Sequence, residues 1–352
     1  MKATIVTTTI NVPYFLEDYA KNADQFGHNV DFIVVGDRKT PSPETAKFCN
    51  TIPNCEFLHV LGQETYLERF PELEKHLPYN SPERRNVGML KAYEQGADII
   101  ITLDDDNYIT SHDVIRSHGI VGKYAYLPII GSSTGWFNVC SMLQERDNVE
   151  FHHRGYPPAQ RWLKGFETMQ HASKRVVVNA GLWVDNPDVD AITRLERELQ
   201  VDGFKPGRPT TIGLAPGTWS PFNCQNTALH RDVIPAYFLS PFIGRHADIF
   251  ASYVINRIAE HMNDAIAFGE PLARHDRSEH DLWKDLNLES DAMRVTDSFV
   301  AALRSIKLTG KSYHSCFGEI TRGLWPWAVA NYKELIVDGM ARWHDIFEEV
   351  EV

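Results

Sequence analysis

A short, nearly apolar run, Ile99-Ile100-Ile101-Thr102-Leu103, stops on three consecutive aspartates, Asp104-Asp105-Asp106. A stretch of that length and composition reads as a buried strand. The carboxylates then stand at its carboxyl end. Three like charges so close repel one another unless a cation neutralises them. The plain alternative is a solvated acidic turn that caps the next helix. Hard divalent ions such as Mg²⁺ and Mn²⁺ take oxygen ligands and often bridge a few carboxylates to phosphate groups. The triplet is therefore a candidate metal site for a phosphate-bearing ligand.

The residues upstream indicate what kind of sheet that strand joins. Ala3 to Thr9 is β-branched and apolar, and Val30 to Val35 is a second such run ending at Gly36-Asp37. Between them Pro13 to Phe26 has helical amphipathicity. Residues 57–60 suggest a third strand. Ser81-Pro82 opens a helix through Gln95, with Ser81 as N-cap and Gly96 as the stop. Repeated strand–helix units predict an α/β fold with a mainly parallel, doubly wound sheet. Such sheets bind ligands at the carboxyl ends of their strands. Thr8, Thr9, Asp37 and the aspartate triplet should all lie on that edge.

From residue 131 the pattern loosens, with Gly, Pro and Trp frequent. Helices are expected near 189–199, 247–261, 291–306 and 326–348. There is no Gly/Ser linker, repeat or low-complexity tract. Residues 1–290 are read as one catalytic domain and 291–352 as a helical extension packed on it.

Composition narrows the function classes. Hydrophobic residues make up 43% of the 352, enough for a sizeable core. The net charge of −12, from 35 basic and 47 acidic residues, disfavours a general nucleic-acid binder. Five cysteines with no C-x-x-C pair suit reduced thiols. The N-terminus enters a strand directly, and no apolar run approaches 18 residues. A cytoplasmic protein without membrane contact is expected, and it could form a homo-oligomer. No G-x-G-x-x-G follows the first strand, so the phosphate turn of flavin and nicotinamide folds is missing. Gly310-Lys311-Ser312 imitates a phosphate loop, but Ser305 stands where its first glycine belongs. Adjacent His152 and His153 would point to opposite faces of a strand and make a poor ligand pair.

At the triplet and beyond, the chain resembles the plant reversibly glycosylated polypeptides, or UDP-arabinopyranose mutases. The similar pieces come in the family's order and run to about residue 290. Arg85-Asn86-Val87-Gly88 resembles the arginine–glycine helix before the acidic strand. Asp104-Asp105-Asp106-Asn107 is similar to the triple-aspartate motif, with Asn107 in place of a cysteine. Arg154-Gly155-Tyr156-Pro157, then Arg161, resembles the RGYP segment and its following arginine. Gly181-Leu182-Trp183 with Asn186-Pro187-Asp188, Pro216-Gly217-Thr218 with Asn226, Gly244-Arg245-His246-Ala247-Asp248 and Gly269-Glu270-Pro271 through His275 complete the set.

The resemblance implies a glycosyltransferase-A-like fold that binds a nucleoside-diphosphate sugar through Mn²⁺ or Mg²⁺. It also implies flavin-free interconversion of pyranose and furanose rings, on a UDP-sugar or, as in related bacterial proteins, a GDP-sugar. A glycosyltransferase using the same site is the alternative. Asp104, Asp106 and His275 are the expected metal ligands, with Asp105 and Asn107 as the competing pair. Arg161 is similar to the plant arginine that becomes glycosylated. A guanidinium stays protonated and is a poor nucleophile, so Arg161 and Arg154 are expected to clamp the diphosphate or departing sugar. Asp248 is the candidate acid/base, or else a helix cap. Thr8, Thr9, Asp37, Arg85 and Asp105 are assigned to the nucleotide. Trp183 and Trp219 could stack on sugar or base.

Overall fold

The computed structural model describes residues 1–110, 113–277 and 281–350. The first part runs β1 (Ala3–Thr9), α1 (Leu16–Gln25), β2 (Val30–Gly36), α2 (Ser42–Cys49), β3 (Cys55–Leu58), α3 (Val60–Leu67), α4 (Pro71–His76), α5 (Arg85–Glu94) and β4 (Ile99–Leu103). The middle adds β5 (Asn107–Ile109), α6 (Val114–His118), β6 (Tyr124–Ser132), β7 (Leu143–Glu145), β8 (Glu167–Asp185), α7 (Ala191–Glu196), β9 (Val201–Phe204), β10 (Thr211–Leu214) and β11 (Asn226–His230). The last part is α8 (Ala247–Met262), β12 (Ala265–His275), α9 (Leu282–Ser305), α10 (Tyr313–Asn331) and α11 (Glu334–Val350).

The expected parallel sheet holds for the order β3-β2-β1-β4, in register from Ala3 opposite Val30 and Ile99. Beyond β4 the sheet turns mixed. β11 lies antiparallel to β4 and β8, β6 antiparallel to β8, and β12 parallel to β8 but antiparallel to β10 and β5. Parallel neighbours need a crossover of a dozen or more residues, usually a helix. The loop-rich sequence after residue 131 supplies few such helices, so antiparallel pairing takes over.

α5 shows how closely the helices sit on the sheet. A Cβ at Gly88 would lie 2.6 Å from Val6 Cγ1 and 2.8 Å from Val35 Cγ2. Both neighbours are β-branched and stiff, so neither can swing away. Gly88→Ala is expected to cost about 1–3 kcal/mol by overpacking, read as a lower urea midpoint with unchanged slope. A gain in stability, as helix propensity alone predicts, would contradict this packing.

Several sequence expectations are corrected here. Ser81 makes no side-chain cap; its hydroxyl turns to the Glu83 carboxylate. The helix drawn at 326–348 is two helices, α10 and α11, parted where Tyr332 takes a left-handed φ of 57°. The helical part also starts at Leu282, so the 290/291 boundary falls inside α9. Phe299, Phe317 and Trp343 on these helices share one buried core with Val6 and Leu182. Trp183 and Trp219 are 1% exposed and belong to that core, not to a stacking platform. Among the described residues no helix is long and apolar enough to cross a membrane.

Candidate functional site

The aspartate triplet occupies the turn between β4 and β5, at the carboxyl end of the parallel strands. Two clefts meet there. One, of about 330 Å³, is lined by Thr8, Thr9, Asp37 and Lys39. The other, of about 310 Å³, is lined by Arg154, Asp188, Asp248 and His275. Pro82, Arg85 and Asp104 to Asp106 line both.

Each aspartate has a different partner. Asp104 is ion-paired with Arg85, which is 2% exposed at the start of α5. Arg85 also donates to the Leu103 carbonyl, the Cys224 carbonyl and Thr8 Oγ1, at 3.2, 3.0 and 3.1 Å. It thereby ties the ends of β1 and β4 to the segment before β11. Burial raises the Asp104 pKa, and Arg85 only partly offsets that rise. Asp105 accepts from Thr9 Oγ1 at 2.7 Å. Asp106 faces His275 Nε2 at 3.3 Å.

Register explains that last contact. β5 pairs antiparallel with β12, with His275 opposite Asn107, one residue after Asp106. The Asn186 carbonyl lies 2.7 Å from His275 Nδ1 and can only accept, so Nδ1 carries a proton. That leaves Nε2 aimed at Asp106. Burial pulls the imidazole pKa down, but the Asp106 carboxylate outweighs it and the net shift is upward. Burial likewise raises Asp106, and the hydrogen bond from His275 overcomes it, so that carboxyl sits below its ordinary range.

The expected three-ligand set is not assembled. Among the described residues no group of three His, Cys, Asp or Glu stands close enough to hold a metal ion, because Asp104 turns to Arg85. Asp106 and His275 still offer one carboxylate oxygen and one imidazole nitrogen, with Nδ1 fixed from behind as metal-bound histidines usually are. Mg²⁺-type sites often have one or two carboxylates, the rest being water and substrate phosphate. The donor pair fits half of such a site. Asn107 is fully buried and its amide nitrogen donates to Asp106 at 2.9 Å, so it supports that carboxylate.

Arg154 and Asp248 lie in the second cleft, but not as free groups. Arg154 Nε donates to both oxygens of Asp188, at 2.9 and 3.1 Å. Its Nη1 and Nη2 donate to Asp248, at 3.2 and 2.9 Å. A third contact reaches the Arg245 carbonyl. The guanidinium is thus committed to two carboxylates and positions them; its expected role as a diphosphate clamp is corrected. Burial would raise both carboxyl pKa values, yet Arg154 brings each below the ordinary range. Asp248 is therefore ionised at neutral pH, able to accept a proton or hydrogen bond but not to give one. Its Oδ1 also accepts from the backbone N–H of Ile249 in the first turn of α8, at 2.9 Å, so it serves the start of that helix as well.

Arg161 is the second correction. It does not line either cleft and is ion-paired with Asp190, the N-cap of α7. Asp37 is likewise occupied, accepting from the backbone N–H of Arg38 at 2.6 Å and of Ser81 at 3.1 Å. It shapes the first cleft by joining the loop after β2 to the segment before α5. Sequence reasoning overlooked Asp188, Arg194, Arg245 and Arg277, all in the second cleft. Asp188 and Arg245 stand inside quoted motifs, and a charged residue within an apolar-flanked motif was the available signal. Arg194 and Arg277 carried none.

The sheet is parallel over four strands and mixed beyond, with an acidic turn at the end of β4 between two clefts, an arrangement consistent with the glycosyltransferase-A-like fold that the motif resemblance implies. No family model matches the chain. It is similar to UDP-arabinopyranose mutase 3 of Arabidopsis thaliana, 25% identical over 261 residues that cover 71% of this chain and 68% of that one. UDP-arabinopyranose mutase 1 of the same plant is 24% identical over 263 residues, covering 71% and 69%. A probable UDP-arabinopyranose mutase 1 of Solanum tuberosum is 28% identical over 185 residues, covering 51% and 47%. These likenesses support the family resemblance found in the motifs. Among solved structures, glucosyl-3-phosphoglycerate synthase from Mycobacterium tuberculosis matches with a TM-score of 0.42 and 11% identity, over 85% of this chain and 80% of that one. That likeness is too slight to bear on the site.

Proposed function

We propose that this protein is a divalent-cation-dependent, flavin-independent mutase that interconverts the pyranose and furanose forms of a nucleoside-diphosphate sugar, UDP-arabinose-like or GDP-fucose-like. The observation that carries the reading is the junction of two clefts at the aspartate triplet, in a chain whose relatives are named UDP-arabinopyranose mutases. A diphosphate at that junction leaves the nucleoside in the cleft of Thr8, Thr9 and Asp37 and the sugar in the cleft of Asp188 and Asp248.

Asp106 and His275 would hold Mn²⁺ or Mg²⁺. When bound, the ion spreads the negative charge that gathers on the diphosphate as its bond to the sugar loosens. Asp248 and Asp188, kept ionised by Arg154, accept hydrogen bonds from sugar hydroxyls and orient the ring. Asp248 is the group placed to take a hydroxyl proton. Arg85 braces Asp104 at the junction, and Asp105 with Thr9 holds the first cleft's rim. A cytoplasmic location and a homo-oligomer are part of the same reading.

A glycosyltransferase would share this binding site, and one experiment separates the two. The purified protein is incubated with UDP-arabinopyranose or GDP-fucose and Mn²⁺, without acceptor. The expected result is an isomer of unchanged mass with furanose couplings by NMR, abolished by EDTA, and the productive substrate names the base. Free nucleoside diphosphate, or binding without isomer, would favour the transferase.

A further inference from the structure

The second cleft is anionic on one count and cationic on another. Besides its carboxylates it is lined by Arg194 on α7, Arg245 just before α8 and Arg277 just after β12. These three come from separate parts of the chain and converge on one cavity. Arg245 and Arg277 both reach Asp285 of α9, at 3.2 and 2.7 Å, and Arg245 also reaches Glu289 at 3.3 Å. Arg194 is different. Its side chain donates to the Pro187 carbonyl at 2.6 Å, and among the described residues no carboxylate forms an ion pair with it. Two of the three guanidinium groups are thus ion-paired, and the third is held by a backbone carbonyl.

An under-neutralised cation away from bulk water is costly, and an anion that pairs with it recovers that cost. The guanidinium fork also matches phosphate and carboxylate oxygens two at a time. Burial, with repulsion from Arg277 and Arg245, brings the Arg194 pKa down to about 10, and the more distant Asp188 and Glu289 only partly offset it. The neighbouring Arg154 is the contrast: its two carboxylates raise it well above the ordinary value. The cleft therefore holds one arginine ion-paired to two protein carboxylates and another that, among the described residues, makes no ion pair.

We propose that Arg194, Arg245 and Arg277 form an oxyanion seat in the second cleft. The seat takes a phosphate or carboxylate group of the bound sugar nucleotide. The group has two possible sources, the diphosphate itself or an acidic substituent on the sugar such as a uronate. This assignment of source rests on the nucleotide-sugar reading above, whereas the seat itself does not.

The test is calorimetric binding in EDTA, so that no metal contributes and no turnover is needed. Inorganic pyrophosphate, UDP, GDP and UDP-glucuronate are titrated into wild-type protein, Arg194→Gln and Arg245→Gln. Arg245 is one-third exposed, which makes its variant the safer folder, and thermal melts check both. Wild type is expected to bind at least one of these anions, with affinity weakened tenfold or more in R194Q. Equal weakening for pyrophosphate, UDP and UDP-glucuronate assigns the seat to the diphosphate. Weakening confined to UDP-glucuronate assigns it to the sugar. Folded variants that bind all four as wild type does, or a wild type that binds none, would overturn the seat. Anion binding without any isomer in the turnover assay would leave the seat standing and count against the mutase alone.

Discussion

Replacing Arg154 by Met is expected to lower the unfolding free energy by about 3–5 kcal/mol. Arg154 is 7% exposed and bonded to Asp188 and Asp248, which are 5% and 7% exposed. Its loss strands two buried negative charges with no guanidinium between them. Asn223, which donates to Asp188 at 2.7 Å, is neutral and cannot replace it. Urea unfolding at pH 7 reads the effect, and a loss under about 1 kcal/mol would refute the bridge. The triple variant with Asp188→Asn and Asp248→Asn should recover part of the loss, because the three groups act as one network. Acid should narrow the gap between wild type and R154M. Both carboxyls have folded pKa values below the unfolded value of about 3.9. Their stabilisation is present above about pH 4 and fades as pH falls through the folded values.

Asp106→Ala is expected to reduce Mn²⁺-dependent turnover by about 10²–10³-fold, on the order of 3–4 kcal/mol of transition-state stabilisation. Asp106 is the carboxylate of the triplet that faces His275, 3.3 Å away. The other two are engaged elsewhere, Asp104 with Arg85 and Asp105 with Thr9. Removing Asp106 takes away the oxygen donor and leaves the imidazole alone, which holds a hard cation poorly. Mn²⁺ binding, followed by the loss of the free-ion electron-resonance signal, should weaken in parallel. His275→Ala should fall in the same direction, by about 10–100-fold. Asp105→Asn should fall less, since its partner is a neutral hydroxyl. Wild-type turnover in D106A would remove the metal assignment altogether.

The two variants probe different kinds of information. The acidic turn was legible from residues 99–106 alone, because a strand's burial and the charges that end it are local in the chain. The parallel βα half was legible for the same reason: β1, β2 and β4 are continuous apolar runs, and α5 ends at Gln95-Gly96 as its stop residue predicts. The helix at α8 likewise followed from its own apolar periodicity. Motif resemblance singled out Asp248 and His275, and both line the second cleft, because each sits at the end of an element whose position the fold dictates.

What tertiary structure alone decided is which charge meets which. Nothing in the spacing of Arg154, Asp188 and Asp248 shows that one guanidinium lies between two carboxylates 34 and 94 residues away. Nor could it show that Arg161, seven positions after Arg154, would turn from the clefts to Asp190. The contact of His275 with Asp106 depends on the register of β12 against β5, and a slip of one residue would send that side chain to the opposite face. Arg194 and Arg277 become one feature only when α7 and the end of β12 reach the same cavity. Local sequence sets the elements, since backbone preference and burial act over a few residues. The pairing of charges across the cleft is set by packing between distant segments.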